Sequence, residues 1–355
     1  MPETVFNILT INPGSTSTKV ALFENNAKRV QQTIRHDPES VPGTRLWDQF
    51  DLRLHAVQTF IAENQITRLE AVVGRGGLFK PVKRGTFKVN QTMINDARRG
   101  LQGEHVSNLG CALAQSVAEA FDCPAFVVDP VSVDEFEPVA RLSGHPLIER
   151  RCLSHALNLR AAAYWTAEKS GNDISESRFI AAHLGSGISV APLLNGRIID
   201  VNDASNAGPF SPERTGSLPM QPFASLCFSG QYTLKEIKQL VNGQGGLMAY
   251  LNTNDLRVVE TKIQDGDDNA KKVYEAMIYQ IAKEIGAMAT VLLGDVQAIV
   301  LTGGLAQSKK LISHLSKRVE FIAPVHVYAG ELEMEAMAAG AWRVLTGQEK
   351  VKIYN

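Results

Sequence analysis

Two distant stretches of the sequence follow one pattern, and this internal repeat limits the possible folds more than any other feature. Residues 10–25 (TINPGSTSTKVALFEN) and 181–196 (AAHLGSGISVAPLLNG) each contain an apolar strand, a polar residue, a Gly-Ser turn and a second apolar strand. Aligning the stretches pairs their polar and turn residues: Asn12 with His183, Gly14 with Gly185, and Ser15 with Ser186. Because each hairpin leads into a further extended stretch, at 28–36 and 196–203, the pattern favours a duplicated domain over a chance match.

The segments around the hairpins alternate between predicted helices and strands. Apolar residues recur at helical spacing in six segments, which are 48–64, 107–121, 154–169, 267–292, 308–318 and 333–346. Short β-rich runs lie between them: LEAVVG, AFVVDP, RFIAAHLG, VQAIVLTGG and VEFIAPVHVY. This alternation, with strands that are apolar throughout, is typical of α/β proteins whose sheets are covered on both faces.

The length of 355 residues suggests two domains. We place the first in residues 1–150 together with a C-terminal helix at about 332–355, and the second in residues 151–331. The boundary near residue 150 follows the polar stretch RLSGHPLIERR, and no linker rich in Gly, Pro or Ser marks it. The second hairpin then opens the sheet of the second domain.

Charge and composition exclude several classes of protein. The 36 Lys and Arg residues against 37 Asp and Glu residues give a net charge of −1, which offers no general attraction to nucleic acid or an anionic membrane. The stretch MPETVFNIL lacks a leader pattern, and no segment reaches the roughly 18 apolar residues that span a bilayer. Four cysteines without CxxC spacing favour buried thiols in a reducing cytosol over disulfides or zinc. We expect a cytoplasmic protein.

The Gly-Ser turn of the first hairpin has the composition of a phosphate-binding turn. A tight turn exposes successive backbone N–H groups, glycine lets a ligand approach closely, and Ser or Thr hydroxyls add donors. The candidate residues are Asn12, Gly14, Ser15, Ser17 and Lys19. The stretch is not a Walker loop, because Thr18 precedes the lysine and a strand follows it. A polar β-turn without a ligand is the alternative that this turn alone leaves open.

Two further turns share these properties. The second hairpin repeats the turn with His183, Gly185, Ser186 and Gly187, of which His183 either donates to phosphate or simply holds the turn. The third turn, in IVLTGGLAQSKKL, places Gly303 and Gly304 between a buried strand and a helix. The ribose, base or phosphate of a nucleotide can lie against such a backbone, although a double glycine is weak evidence by itself.

The three turns carry a family resemblance. The set TINPGSTSTK, HLGSGIS and LTGG resembles the phosphate 1, phosphate 2 and adenosine motifs of the superfamily of acetate and sugar kinases, heat-shock chaperones and actin. Within it the sequence is similar to the acetokinase family over nearly the whole chain, through GRGGL, GEHVSNLG, VVDPVSVDEF, SHALN and NDASNAGPFSPERTGSLP. The resemblance implies an α/β, duplicated ribonuclease H-like (actin-like ATPase) fold with two domains flanking a nucleotide cleft. It also implies ATP, Mg²⁺, a short-chain carboxylate substrate and a homodimer or larger homo-oligomer.

Transfer of a phosphoryl group to a carboxylate brings two anions together, so the site needs cations rather than a base. Arginine binds either anion through two parallel bonds. Arg75 and Arg214 match the family's catalytic arginines, so the resemblance implies roles at the substrate carboxylate and the transferring phosphoryl group. A structural ion pair at Arg75 and an exposed loop at Arg214 are the alternatives. His155 matches a histidine that hydrogen-bonds phosphoryl oxygens, or else is a capping or core residue, and His105 is a weaker candidate.

Three residues are candidates for holding magnesium. Asp129 ends the strand AFVVDP, where a carboxylate commonly faces the ligand crevice of an α/β sheet. It would take part in catalysis by holding Mg²⁺ through water, or it is only the turn residue before a proline. Glu333 matches the family's magnesium-associated glutamate, in competition with Glu331 and Glu335, and Asn12 would complete the polar shell.

The substrate is predicted to be an acid of about four carbons. Gly76 and Gly77 follow Arg75 where acetate kinases typically have valines, so lost bulk is expected to leave room for a longer acyl tail. At about 0.8 kcal/mol per methylene, selection among butyrate, isobutyrate and valerate can only be modest. An acetate or propionate kinase is the near alternative. A sugar kinase with Asp129 as its base and a conformation-switching actin-like ATPase are more remote.

Overall fold

The computed structural model describes residues 5–37 and 45–355, so the first four residues of MPETVFNIL lie outside the described residues. The strands are β1 (Asn7–Pro13), β2 (Ser17–Glu24), β3 (Ala27–Arg35), β4 (Ala71–Arg75), β5 (Thr86–Lys88), β6 (Ala125–Val128), β7 (Leu142–His145), β8 (Ile148–Glu149), β9 (Arg178–Leu184), β10 (Ile188–Leu194), β11 (Arg197–Ile198), β12 (Ala298–Gly303), β13 (Val325–Ala329) and β14 (Lys352–Ile353). The helices are α1 (Phe50–Glu63), α2 (Gln91–Arg99), α3 (Gly110–Ala120), α4 (Ala156–Lys169), α5 (Met220–Cys227), α6 (Leu234–Val241), α7 (Gly246–Leu251), α8 (Leu256–Gln264), α9 (Asp268–Val291), α10 (Lys309–Val319) and α11 (Glu333–Leu345).

The chain divides into two compact units. Unit 1 comprises Met1–Asp134 with Leu332–Asn355, and unit 2 comprises Glu135–Glu331. The first break therefore differs from the expected one after residue 150. Residues 135–150 belong with unit 2 because Glu137 N donates to Ile199 O at 3.0 Å and Arg150 pairs with Asp200 at 2.7 Å.

The sheets of the two units repeat one scheme. Unit 1 has the strand order β14-β5-β6-β4-β1-β2-β3, and unit 2 has β11-β10-β9-β12-β13. In each, an antiparallel hairpin (β1–β2 or β9–β10) is extended by a further antiparallel strand on one side. On the other side lie two parallel strands, β4 and β6 in unit 1 and β12 and β13 in unit 2. The duplication predicted from the repeat is confirmed.

Close packing of two glycines fixes the end of β4 in unit 1. A Cβ on Gly74 would overlap the carbonyl oxygen of Gly110, and a Cβ on Gly110 would overlap that of Arg75. Strand β4 and helix α3 can therefore approach closely only because both positions lack a side chain. The contact holds Arg75 at the carboxyl end of β4, between the parallel strands β1 and β6.

Helix α9 supports the sheet of unit 2. Asp267 caps it by accepting a hydrogen bond from Ala270 N at 2.9 Å. Its buried face repeats every four residues through Val273, Met277 and Ile281, and it packs against β10, α8 and α10. The carboxyl ends of β9 and β12, which carry the second and third turns, thus rest on a continuous apolar core.

Most of the predicted elements are present. All six predicted helices are confirmed, with ends shifted by a few residues. The β-rich run at 319–328 is wrong in its first half, because Val319 is buried on the apolar face of α10 and the strand begins only at Val325. The apolar spacing does not predict α2 or the short helices α5 to α8.

The cysteines and the helices bear on two of the exclusions. Within the described residues the four cysteines form no disulfide; Cys111 and Cys152 are buried, whereas Cys123 and Cys227 are only half-buried, so the expectation of buried thiols holds for two of them. Within the described residues, no helix combines the length and the apolar character that crossing a bilayer requires.

Candidate active site

The first Gly-Ser turn closes tightly after β1. Gly14 N donates to Ser17 O at 2.7 Å, and Asn12 lies opposite Lys19 in the hairpin register. Ser15 is exposed, while the other four residues are half-buried. The residues predicted to bind phosphate therefore lie together at one end of the hairpin, with Asn12 and Lys19 as cross-strand neighbours.

Arg75, Asn12 and Glu333 form a polar cluster in unit 1. Asn12 Nδ2 donates to Glu333 Oε2 at 2.5 Å, and Arg75 Nη2 lies 3.4 Å from Glu333 Oε1. Arg75 is only 6% exposed, and within the described ranges its Nη1 has no hydrogen-bond partner. A buried donor without a partner is costly, so a bound anion would complete the hydrogen bonding of this guanidinium.

Helix α11 separates the three candidate glutamates. Glu333 begins the helix and faces the cluster just described. Glu335 pairs instead with Lys28 at 2.8 Å in an exposed ion pair, and Glu331 is exposed before the helix begins. The structure thus brings Glu333, rather than either neighbour, beside Asn12.

Asp129 holds a turn at the same edge of the sheet. It follows β6 with a left-handed φ of 38°, its Oδ1 accepts a hydrogen bond from Gly85 N at 2.8 Å, and its own N donates to Gly85 O at 3.1 Å. Because β4 and β6 are parallel neighbours, Asp129 and Arg75 both lie at their carboxyl ends. The structure gives Asp129 the turn role that the sequence analysis left as an alternative, alongside the proposed magnesium role.

The glycines after Arg75 do not open the space that the sequence analysis assigns to a longer acyl tail. A Cβ on Gly76 would lie 2.5 Å from Pro130 Cβ, and a Cβ on Gly77 would lie 2.7 Å from Asn108 Cα. Neighbouring protein already fills both positions. The prediction that lost bulk makes room here is therefore wrong, and selection of the acyl chain must depend on other residues.

The segment 105–109 supports the loop after Arg75. Asn108 is fully buried, and its Oδ1 accepts from Leu78 N at 2.8 Å. His105, the weaker site candidate, lies 2.7 Å from Ser107 Oγ through Nδ1 and also accepts from Ser107 N at 3.3 Å. The structure gives His105 a capping role, and Asn108 is a positioning residue that the sequence analysis missed.

His155 and His183 lie face to face in unit 2. Their ring centroids are 4.0 Å apart and their planes differ by 15°. His155 Nδ1 is 2.9 Å from Ser189 Oγ, and Ser189 is the cross-strand partner of His183. Two residues that the sequence suggested separately are thus one stacked pair, and the buried Ser189 that orients it was not predicted.

Arg214 lies directly on the second turn. A Cβ on Gly187 would lie 2.6 Å from Arg214 Cζ, so a side chain at this position would displace the guanidinium. Ser211 connects the two elements, because its Oγ donates to Ser186 O and accepts from Arg214 N at 3.2 Å. Arg214 is half-buried rather than an exposed loop residue. Burial lowers the pKa of its guanidinium, and nearby carboxylates oppose the shift, so it stays charged at neutral pH.

The second and third turns are adjacent. A Cβ on Gly185 would lie 2.8 Å from His183 Nε2, and a Cβ on Gly303 would lie 2.7 Å from Leu184 N. Gly303 also has a φ of 97°, which favours glycine. By contrast, no atom of the described residues lies within 4 Å of a Cβ on Gly304. A short 3₁₀ turn follows, and α10 begins only at Lys309, so the double glycine does not lead directly into a helix.

The sequence is similar to known proteins over nearly the whole chain. The sequence matches the model of the acetokinase family over residues 150–340. It is 52% identical to "Probable butyrate kinase 2" of Caldanaerobacter subterraneus subsp. tengcongensis over 353 residues, which cover 99% of this chain and all of that protein. It is 47% identical to "Butyrate kinase 2" of Clostridium acetobutylicum, covering 98% of this chain and 99% of the relative.

Solved structures share the fold at low identity. The crystal structure of Porphyromonas gingivalis acetate kinase matches 96% of this chain and all of its own with a TM-score of 0.79 at 17% identity. A propionate kinase from Francisella tularensis matches 94% of this chain and 98% of its own with a TM-score of 0.74 at 18% identity. A ROK family protein from Streptococcus pneumoniae covers 97% of this chain and all of its own with a TM-score of 0.54 at 14% identity. The predicted α/β, actin-like ATPase fold is confirmed.

Proposed function

We propose, because this chain belongs to the acetokinase family, that it transfers the γ-phosphoryl group of ATP reversibly to butyrate, giving butyryl phosphate and ADP. Curated relatives about half identical over nearly the whole chain carry the name butyrate kinase. The acetate and propionate kinases share only 17% and 18% of its residues. Butyrate is therefore favoured over the shorter acids, which are the near alternative.

The buried Arg75 guanidinium is the observation that carries this proposal. Its Nη2 is engaged by Glu333, and its Nη1 has no partner among the described residues. A carboxylate matches the planar donor fork of arginine. Aliphatic acids ionise near the reference pKa of Glu, about 4.3, so the substrate is already a nucleophile at neutral pH and needs no base. Arg75 would hold the acid by its carboxylate and offset the repulsion of the approaching phosphate.

The second turn supplies the groups that would stabilise the phosphoryl group. Charge spreads over the phosphoryl oxygens during transfer, so fixed donors and cations lower the barrier. Arg214 is held on Gly187 and tied to Ser186 through Ser211. Because Ser189 engages Nδ1 of His155, Nε2 is the nitrogen through which His155 would reach a phosphoryl oxygen. The open space at Gly304 suits the nucleoside part of ATP.

Unit 1 has suitable oxygen donors for magnesium. Asn12, Asp129 and Glu333 carry the hard oxygen ligands that Mg²⁺ prefers, and Glu333 is already oriented by Asn12 and Arg75. In the described parts of the chain, no group of three or more His, Cys, Asp or Glu side chains is arranged around a common metal position. A small set still suits Mg²⁺, which usually takes one or two carboxylates with waters and substrate phosphates. When bound, it would neutralise charge on the phosphates of ATP.

A sugar kinase of the same fold is the second candidate, and its base would have to be Asp129. The Asp129 carboxylate accepts a hydrogen bond from Gly85 N. This bond commits one carboxylate oxygen of Asp129 to the turn, which leaves only the other oxygen to accept a proton from a sugar hydroxyl. A neutral sugar would also offer no carboxylate to Arg75 Nη1, which has no hydrogen-bond partner among the described residues. These two observations favour the carboxylate kinase over the sugar kinase.

One assay tests the proposal. The protein is incubated with ATP, Mg²⁺ and hydroxylamine together with acetate, propionate, butyrate, isobutyrate or valerate, and the acyl hydroxamate is measured. The largest yield is expected with butyrate. ATP turnover with sugars and no hydroxamate from any acid would instead establish the sugar kinase. ATP turnover without either acceptor would point to a conformation-switching ATPase.

We further infer a cytoplasmic homo-oligomer, since the reaction consumes ATP and the family resemblance implies assembly. Light scattering after size-exclusion chromatography measures the mass against the 38.7 kDa of one chain. A mass of one chain at micromolar concentration would exclude the assembly and leave the activity untouched.

A further inference from the structure

Helix α1 carries a buried charge that the proposed chemistry does not use. Arg53 is 1% exposed and heads the fully buried side chains of the described residues when these are ordered by size. No carboxylate of the described residues lies within 4 Å of its guanidinium, and burial lowers its pKa. A buried charge without a counterion is expensive. The role of such a group therefore lies in its hydrogen bonds, which an apolar residue could not form.

The hydrogen bonds of Arg53 converge on the first turn. Its Nη1 donates to Ser17 O at 2.8 Å and to Thr18 Oγ1 at 3.1 Å. Its Nη2 donates to Ser15 O at 3.2 Å. Gln49 Oε1 accepts from Nε at 3.2 Å and from Nη2 at 2.9 Å, which fixes the plane of the guanidinium. The guanidinium of Arg53 therefore lies on the side of the turn where its carbonyl oxygens point, and it binds two of them.

These bonds decide which polar groups the turn presents to a ligand. The carbonyl oxygens of Ser15 and Ser17 point to Arg53, and that of Thr16 accepts from His36 N at 2.8 Å. The backbone N–H groups of Ser15 and Thr16 donate to no atom of the described residues. Carbonyl oxygens turned inward and N–H groups left available make a concavity that binds anions.

We infer that Arg53 is the positioning residue that prepares the first turn for a phosphate of the nucleotide. Its guanidinium binds three acceptors of the hairpin, Ser15 O, Ser17 O and Thr18 Oγ1, so these oxygens do not face the ligand. It also places a positive charge next to the turn. The bound phosphate in turn partly neutralises this buried charge. The inference rests on the proposed function, because it takes the anion at this turn to be ATP.

Conservative variants separate positioning from stability. Arg53→Lys keeps the charge but cannot reach both carbonyls and Gln49, and Arg53→Met removes charge and donors together. We expect the KM for ATP and its calorimetric Kd to rise about tenfold in the first and about a hundredfold in the second, as for the loss of charge-assisted hydrogen bonds. The KM for butyrate should change less than twofold. Ethylguanidinium, at concentrations far below those that unfold proteins, should restore ATP binding to Arg53→Ala.

Arg160 offers a matched control. It is 3% exposed on α4, and its Nε donates to Gly196 O at 3.3 Å, in the turn between β10 and β11. Arg160→Lys should lower the melting temperature without changing the KM for ATP. If every Arg53 variant fails to fold, Gln49→Met is the variant to measure. It keeps Arg53 but removes the two hydrogen bonds from its guanidinium to Gln49 Oε1, and it should raise the KM for ATP severalfold.

The outcomes distinguish this inference from the proposed function. A wild-type protein that makes butyryl hydroxamate, with unchanged ATP affinity in Arg53→Lys, Arg53→Met and Gln49→Met, would overturn the positioning role alone. A wild-type protein that binds ATP but phosphorylates no acid would overturn the function, while the ATP titrations still test Arg53. Failure of the wild type to bind ATP would refute both.

Discussion

The Arg75 guanidinium should decide the rate of phosphoryl transfer. Arg75→Ala is expected to lower kcat/KM for butyrate by roughly 10² to 10⁴, as for arginines that stabilise phosphoryl transfer. Arg75→Lys should recover little of it, since an ammonium group lacks the planar fork. The hydroxamate assay at saturating ATP measures both variants. Lys28→Ala, which removes an exposed ion pair with Glu335 and an exposed hydrogen bond to Gln31, is the control and should keep the wild-type rate. A fully active Arg75→Ala would contradict the proposed mechanism.

Alanine at two glycines should have opposite effects on folding and binding. A Cβ on Gly77 would press on Asn108 at 2.7 Å, so Gly77→Ala should reduce the free energy of unfolding by about 1–3 kcal/mol. Gly304→Ala meets no described atom within 4 Å, so it should leave stability unchanged and weaken ATP binding instead. Thermal unfolding and ATP titration measure the two effects. A stable Gly77→Ala protein that gains activity on acetate would restore the acyl-pocket interpretation that the structure contradicts.

The same residues show what a sequence can predict about a site. Arg75, Arg214 and Glu333 are predictable as candidates, because they match motifs of the acetokinase family and, for Arg75, because two glycines follow it. The space beside Gly76 is not, since the residue that fills it, Pro130, is distant in sequence. Arg53 is also hidden, because an arginine in an amphipathic helix normally lies on its solvated face.

Among the secondary-structure elements, the first hairpin should respond to pH through His36. This histidine is 7% exposed and its Nε2 lies 2.8 Å from Thr18 Oγ1. Burial, and secondly the charge of Arg53, lowers the pKa of His36 below its ordinary value. The folded state therefore favours the neutral ring. The stability it provides is complete above about pH 6.5 and is lost as the pH falls through the lowered folded pKa.

The variant His36→Gln removes this titration while keeping a hydrogen-bonding side chain beside Thr18. We expect the melting temperature of the wild type to fall more steeply than that of the variant as the pH drops from about 7 to about 5.5. Thermal unfolding in matched buffers provides the comparison. Parallel curves would show that His36 does not couple to folding in this range.

Predictability also differs between kinds of element. The hairpins and the six long helices repeat their apolar residues over enough turns to be recognised, as in α9. Helix α5 has no buried residue among those described, so it carries no apolar periodicity toward a core. At 319–328 only Glu320 and Pro324 interrupt the apolar residues between the end of α10 and the start of β13. Composition alone cannot mark that change of geometry.

For the whole molecule, the order of acid substrates is the clearest prediction. Each additional buried methylene contributes about 0.8 kcal/mol, so butyrate should exceed acetate in kcat/KM by about tenfold. The acid panel at saturating ATP measures this ratio. If the protein instead prefers acetate or propionate, its function is that of an acetate or propionate kinase, the near alternative within the same family. A mutational scan of unit 1 would then be needed to find the residues that limit chain length.

The actin-like ATPase fold is implied by the resemblance to the acetokinase family, and the duplicated two-domain α/β architecture is predictable from the repeat and the alternating elements. The domain boundary is not, since residues 135–150 attach to unit 2 through contacts with residues near 200. Local composition contains no trace of those contacts.

The paired hairpins differ in how each turn is braced. In unit 1 an arginine from a neighbouring helix reaches the turn from behind, whereas in unit 2 an arginine from a later loop rests upon it beside Gly187. The two repeats thus place an arginine at corresponding turns from different parts of the chain, helix α1 in unit 1 and a loop after β11 in unit 2. Tolerance to mutation measured in one half should therefore be a poor guide to the other, even at positions that superpose.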